Sequence, residues 1–491
     1  MDASGPRPKD KRKITWRTFL NGLLLIFLIE VYLVPSFFAS DDNPFAFYLI
    51  SKIDQFFGYA DHTGYTLVDI DNDTFSDWQK NGRTDRSKIK ELISLIASDK
   101  HNKPKAIVVD IDLSVSNLDK NGGIDEISNP NLQRCPKDRA RYPTGNLTPE
   151  QILAFYVCQY AKNKDNAPLI FVQSLRRRPK SSEQDPLVAV PLIFEKPKEG
   201  GPVYFATSGF LRNVDGNVRS WLLAEPVCKN DQLTTIPSVE LLLLPIKGKL
   251  KPGFVNQTVQ TAYSGNCLSV KTIMHEIRLG EGPPIRLSPR HLRDRIVYTM
   301  KMPTEQVKDR STISTLAYRK AKDLNFDQLD HNELTEGNNL FSDRIVVIGG
   351  SNEESRDIYN TPYGVMPGVF ILINAIESLR NYHQLKELQE IIEIIGGILI
   401  GVITWYLLKT LDLTAGVSLS LLLFSGVVIC SILLLYYYRV WFGVSGIGGG
   451  TIAHFVIELI IDLWRYLCQR LRNWSPKRLR NWFRASPAKG S

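Results

Sequence analysis

Apolar residues along this chain follow two patterns, one on the scale of a lipid bilayer and one on the scale of a folded sheet. Four long apolar stretches lie at about Trp16–Val34, Ile391–Leu408, Leu413–Tyr436 and Val440–Leu463. Each approaches the roughly 20 residues that carry a helix across the hydrocarbon core, so four transmembrane helices are expected, one N-terminal and three C-terminal. The breaks between the last three, at 409–412 and at Tyr438-Arg439, leave room only for tight hairpins. The first stretch is long for a signal-peptide core and no A-x-A site follows it, so a retained anchor is expected.

Between the first and second stretches, residues 40–385 alternate short apolar runs with polar segments. Thr66–Ile70, Ala106–Ile111, Leu169–Val172, Val203–Phe205, Ile296–Met300 and Ile345–Ile348 read as buried strands. In Arg86–Ser98, Ile89, Leu92, Ile93 and Ile96 fall on one helical face, and Gly368–Asn381 reads as a second helix. The first strand, the Arg86–Ser98 helix and the second strand form a strand-helix-strand unit, which implies parallel strands. The expected fold class is therefore an α/β domain with a mixed, largely parallel sheet. Residues 114–165 and 175–202 read as irregular surface excursions.

Charge sets the orientation. Residues 1–17 carry a net +4 and residues 464–491 a net +8, which leaves about −3 of the total +9 for everything between. The basic balance describes two tails, so a nucleic-acid partner is not expected. Basic tails beside apolar helices face the cytoplasm and anionic lipid. Four crossings place both on that side, with residues 1–15 and 464–491 as cytoplasmic tails and 40–385 as an extracytoplasmic domain. The expected location is the inner cell membrane, multi-pass, with the domain periplasmic in a Gram-negative-type envelope. The 464–491 tail interleaves Trp464, Tyr466, Leu467, Trp474, Trp482 and Phe483 with Arg and Lys, a pattern for the inner leaflet or a cytoplasmic partner.

Outside the cytoplasm, cysteines pair. Four lie in the domain, Cys135, Cys158, Cys228 and Cys267, and permit three pairings. Cys135–Cys158 with Cys228–Cys267 closes the most local segments; reduced buried cysteines are the alternative.

Asp69, Asp71, Asp110 and Asp112 stand at the ends of two strands expected to be neighbours, where open α/β sheets bind ligands. Such carboxylates could bind a hard cation, repel one another until protonated, or simply cap helices and turns. Gly349-Gly350-Ser351 follows a strand, where backbone N–H groups could cradle an anion, or it is a tight turn. These seven are the candidate ligand-binding residues. Arg86 and Arg219 could pair with the acids. Hydrolase, zinc-protease and nucleotide-loop motifs are missing, and the seven histidines are scattered. No catalytic residue, metal site or cofactor is expected.

The stretch 66–113 resembles the opening of the type-2 CHASE (CHASE2) domain through Val68, Ile70 and Asp71, then Trp78, Arg86 and Val109-Asp110. Residues 204–227 resemble a later element of that domain through Gly209, Asp215, Gly216 and Arg219. Residues 344–380 resemble its closing element through Gly349, Asp357, Thr361, Pro362, Pro367, Gly368 and Asn374. Three spans after the domain also fit the family. The resemblance implies an extracellular sensory domain. Many members continue into a cyclase or kinase, whereas this chain stops 28 residues after Leu463. It is therefore expected to signal through its helices to a separate cytoplasmic effector. The alternatives are a structural subunit of a membrane complex and a membrane-anchored enzyme with an unrecognised site. A homodimer suits a transmembrane signaller, though no sequence feature demands one.

Overall fold

A computed structural model describes residues 64–441, apart from 115–146, 177–186, 195–200, 245–251, 288–295, 301–311, 325–339 and shorter breaks. One compact unit is Pro44–Leu385, and the C-terminal helices belong to a second.

The first unit is organised by one sheet. Its strands are β1 (Tyr65–Ile70), β2 (Ala106–Asp110), β3 (Leu169–Val172), and then, after a small separate sheet built by β4 (Leu175–Arg176) and β5 (Leu187–Ala189), β6 (Val203–Ala206). Further along come β7 (Phe210–Arg212), β8 (Val218–Trp221), β9 (Ala224–Lys229), β10 (Gln232–Pro237), β11 (Thr312–Ile313), β12 (Leu316–Lys320) and β13 (Ile345–Gly350), with a hairpin of β14 (Ile358–Thr361) and β15 (Gly364–Pro367). The main sheet has the order β11-β12-β1-β13-β2-β3-β6. All of its pairings are parallel except β11 with β12. The second sheet has the order β10-β9-β5-β4.

The central strands read as near-continuous apolar runs because both faces are covered. Leu67, Val108, Ile345 and Val347 point into one core. Val68, Ile70, Ile107, Val109, Val346 and Ile348 point into the other. The second core is closed by α2 (Arg86–Ser98), which follows the short α1 (Asn72–Trp78), and by α3 (Pro149–Lys162). The first core is closed by α4 (Val239–Leu242), α5 (Pro252–Gln260) and α6 (Gly368–Glu377). α6 is buried on every side, which its unbroken apolar sequence from Val369 to Ile373 permits. It runs into a π-helical turn, Ser378–Tyr382.

Five of the six expected strands and both expected helices are present. Ile296–Met300 is buried and extended but joins no sheet. Side chains of α6 and its π turn replace a ladder. Asn374 accepts from the Thr299 and Met300 N–H groups at 2.9 and 2.8 Å, and Ser378 accepts from Val297 N–H at 3.0 Å. A second difference is α3, which lies inside a region expected to be irregular. Thr148 and Gln151 form a reciprocal capping box at its start, Pro149 sits in its first turn, and Leu153, Ala154 and Val157 reach the core.

Two helices follow the domain, α7 (Glu390–Thr410) and α8 (Leu413–Tyr438), over the residues where the second and third spans are expected. Counted over the described residues alone, no helix is long and apolar enough to cross a membrane; the side chains of α7 and α8 are described only in part. The expected spans at 16–34 and 440–463, apart from Val440-Trp441, lie outside the described residues, as do both tails. Cys228 on β9 is bonded to Cys267 with a Cα–Cα distance of 5.6 Å, as expected. Cys135 lies outside the described residues, and Cys158, on α3, is itself disulfide-bonded.

Candidate functional site

After β1 and β2 the chain crosses to the face covered by α2 and α3, whereas after β13 it crosses to the opposite face and enters α6. The carboxyl ends of β1, β13 and β2 therefore flank a point where connections diverge, the place where open α/β sheets leave a crevice. All seven candidate residues lie along this edge, but not as one cluster. β1 and β2 are not neighbours. β13, from far along the chain, lies between them and pairs with both. Its insertion divides the acids into two groups.

On the β1 side every acid has a structural partner. Asp69 is fully buried and accepts from the Tyr318 hydroxyl at 2.8 Å, the Ser351 N–H at 3.0 Å and the Ser351 hydroxyl at 2.6 Å. Asp71 is the N-cap of α1 and accepts from the Thr74 N–H and hydroxyl at 2.9 and 2.7 Å. Lys320, at the end of β12, reaches Asp71 at 3.0 Å and Asp73 at 3.5 Å. Burial pushes the Asp71 carboxyl up, but the bonds from Thr74 and Lys320 outweigh it and hold it below the usual carboxylate range. Burial, then Asp69, raises the Tyr318 phenol, which stays a neutral donor.

These bonds give the Ser351 end of Gly349-Gly350-Ser351 a structural role. The Ser351 N–H is committed to Asp69, and both glycines are still within the strand. Gly349 is there for close approach. A Cβ on it would stand 2.5 Å from Val369 Cγ2 of α6. Asp112 is exposed and caps its own turn by accepting from Ser114 N–H at 3.0 Å. Arg86 donates to the Asp112 backbone carbonyl at 2.6 Å, a structural tie.

The β2 side is different. Asp110, at the end of β2, lies beside Gly349 and faces Asp357, which precedes β14. The Asp357 carboxylate packs so closely over Gly368, the first residue of α6, that a Cβ there would collide with it. Glu240 of α4 stands behind them, fully buried. Neither Glu240 oxygen reaches hydrogen-bond geometry; its own backbone N–H and the Ser238 hydroxyl are the polar groups nearby. Burial raises the Glu240 carboxyl to about 8. Burial first, and then Asp357 and Glu240, hold Asp110 well above the usual carboxylate range. Burial raises Asp357 too, opposed by the Tyr359 hydroxyl that bonds to it. Arg212, exposed, lies over the Tyr359 ring at 5.0 Å.

Among the described residues no group of His, Cys, Asp or Glu is arranged to hold a metal ion. The edge offers proton-binding carboxyls next to a helix N-terminus. Compared with known families, residues 41–403 match the CHASE2 domain.

The chain belongs to the CHASE2 family.

CHASE2 is a sensory domain family. No curated protein and no solved structure matches the chain. The residues that carried the CHASE2 resemblance have physical roles here. Asp71 caps α1, Gly349 and Gly368 admit close neighbours, and Asn374 clamps the extended 296–300 segment. Asp357 figured in the resemblance but not among the candidate site residues, and Glu240 was missed outright. Glu240 sits in the run Val239–Leu244, where one acid among apolar residues is the only sequence signal.

Proposed function

We propose that this CHASE2 chain is a membrane-bound sensor whose domain lies outside the cytoplasm and passes a rearrangement through its helices to a cytoplasmic partner. The observation that carries the reading is the CHASE2 match, which runs through the domain and on into α7. α8 supports the membrane part. Its 26 residues contain no Asp, Glu, Lys or Arg. Leu419, Leu422, Ile429, Leu433 and Tyr437 on it are exposed apolar side chains, which suit lipid better than water. The basic tails favour cytoplasmic termini.

Two experiments test the reading. A phosphatase that works only after export should be active when fused after residue 385 and inactive when fused after residue 491. The reverse pattern would invert the topology and end the proposal. For the partner, the full-length protein is purified in mild detergent and its companions are identified by mass spectrometry. A cytoplasmic regulator, lost when residues 464–491 are removed, is the expected result. Recovery of envelope proteins alone would point instead to a structural subunit.

A further inference from the structure

The chain leaves the domain just after α6, since the first compact unit ends at Leu385 and the second takes the chain up at Lys386. Two backbone features there are uncommon. Ser378–Tyr382 is a π turn where α6 would otherwise continue. A π turn closes i→i+5 bonds, so it takes up one residue more than an α turn, and such turns gather at functional sites. His383, which caps it, has φ 56° and ψ −166°. That region of backbone space belongs essentially to glycine, and a residue with a Cβ stays there only where its surroundings hold it. His383 is exposed, so burial in a core does not hold it.

Clips on both sides do. Ser378, fully buried, accepts from the Val297 N–H at 3.0 Å. Arg380 donates to the Tyr65 hydroxyl at 2.8 Å, and its guanidinium lies over the Tyr65 ring at 5.5 Å. Gln384 closes the far side as a strand would. Its side-chain oxygen accepts from the Arg286 N–H at 2.7 Å, and its side-chain nitrogen donates to the Arg286 carbonyl at 2.7 Å. Tyr65 opens β1, Val297 lies in the segment clamped by α6, and Arg286 ends the short strand Ile285–Arg286. Elements distant in sequence thus converge on the few residues through which the chain departs.

We propose that Ser378–Gln384 is a wound hinge, held in a strained form by these clips, and that their release lets the π turn relax to α-helix and rotates the chain beyond Leu385. Converting a π turn to α passes one residue downstream, a step of about 1.5 Å and about 100°. Relief at His383 offsets part of the bonds given up, which keeps the two forms close in free energy. A stimulus that binds one form better than the other then shifts the balance. The Gln384 clip is exposed, so it is the one a stimulus can reach without opening the core. As the moving part of a sensor, the hinge rests on the function proposed above; as a bistable segment of the domain, it stands without it.

Two substitutions push the hinge in opposite directions. His383→Gly removes the strain and keeps the clips, so it favours the wound form. Gln384→Ala removes the far clip and keeps the strain, so it favours the relaxed form. In the full-length protein in detergent, hydrogen exchange at 379–384, corrected for intrinsic rates, should slow by about tenfold in His383→Gly. It should quicken by about tenfold in Gln384→Ala, and the double variant should return towards wild type. Amides of β1 should keep their rates in all of them, which reports an intact fold. A second readout follows the rotation. Nitroxides at Ser98→Cys on α2 and Ile395→Cys on α7, in a Cys430→Ser and Cys468→Ser background, give a distance distribution by pulsed electron resonance. Two populations are expected, one enriched by His383→Gly and the other by Gln384→Ala. A single distribution unchanged by either substitution would reduce the segment to a fraying helix end and overturn the hinge, as would wild-type exchange in His383→Gly. If the populations switch but the phosphatase fusions invert the topology, the hinge stands and it is the sensor reading that fails.

Discussion

Two groups of carboxylates share one edge of the sheet and obey opposite rules. On the β1 side each acid is matched to donors. Asp69 receives Tyr318 and Ser351, and Asp71 receives Thr74 and Lys320. On the β2 side Asp110 faces Asp357, which the Tyr359 hydroxyl bonds, and the buried Glu240 oxygens reach no hydrogen-bond geometry among the described residues. One strand, β13, separates the two groups. The same residue types at the same sheet edge are thus held ionised by donors at Asp71 and pushed towards the neutral form by burial at Asp110 and Glu240. Neighbouring donors decide which, because a carboxylate given N–H and O–H groups stays ionised in the interior and one denied them takes a proton.

The largest effect expected from breaking this contrast is on the partnered side. Asp69→Ala leaves the Tyr318 hydroxyl and both Ser351 donors buried without an acceptor. Each such orphan costs ~1–3 kcal/mol, so a loss of about 4 kcal/mol is expected, read as a lower urea midpoint at unchanged slope. A loss under about 1 kcal/mol would mean that this cluster does not hold β1, β12 and β13 together, and the contrast with the other side would collapse.

Glu240, whose oxygens reach no hydrogen-bond geometry among the described residues, should respond with the opposite sign. Glu240→Met removes the carboxyl and keeps roughly the same volume. It should stabilise the domain by about 2–3 kcal/mol at pH 8. The gain should shrink as pH falls towards 4.5 and vanish below it, where the wild-type carboxyl is protonated whether folded or not. Unfolding midpoints measured at both pH values test this. A destabilised variant at pH 8 would show that Glu240 has a partner worth more than its burial costs.

The sequence carried the partnered side more clearly than the other, for a physical reason. Asp69, Asp71 and Asp110 each follow an apolar run, so strand periodicity alone puts them at strand ends. Arg86–Ser98 was equally plain, since Ile89, Leu92, Ile93 and Ile96 follow one helical face. Adjacency was the weak point. β13 enters the sheet between β1 and β2 from residues nearly 240 positions beyond β2, and no local pattern signals such an insertion. Glu240 was hidden for a related reason. Its burial is made by α6, which lies more than 120 residues away. Ile296–Met300 shows the converse error. Its apolar run resembles a strand, but side chains of α6 and its π turn satisfy its backbone instead of a sheet. The α3 helix did carry a readable signal, the Thr148-x-x-Gln151 box before an apolar face.

The smallest expected effect separates two contributions within the partnered side. Asp71 is both a helix cap and the ion partner of Lys320. Asp71→Ala removes both and should cost about 1–1.5 kcal/mol. Asp71→Asn keeps a capping side chain and removes the charge, so its cost isolates the ion pair and should stay below about 0.5–1 kcal/mol. The pH dependence distinguishes them further. The folded carboxyl lies below its ordinary value of 3.8, so its charge stabilises the domain above that pH, and this part is lost as pH falls through the folded value. Acid unfolding curves of wild type and Asp71→Asn should therefore converge below about pH 3.8, while Asp71→Ala should stay destabilised there, since its missing cap does not titrate. If Asp71→Asn is as damaging as Asp71→Ala at pH 7, the charge on Asp71 and not its cap is what ties α1 to the end of β12.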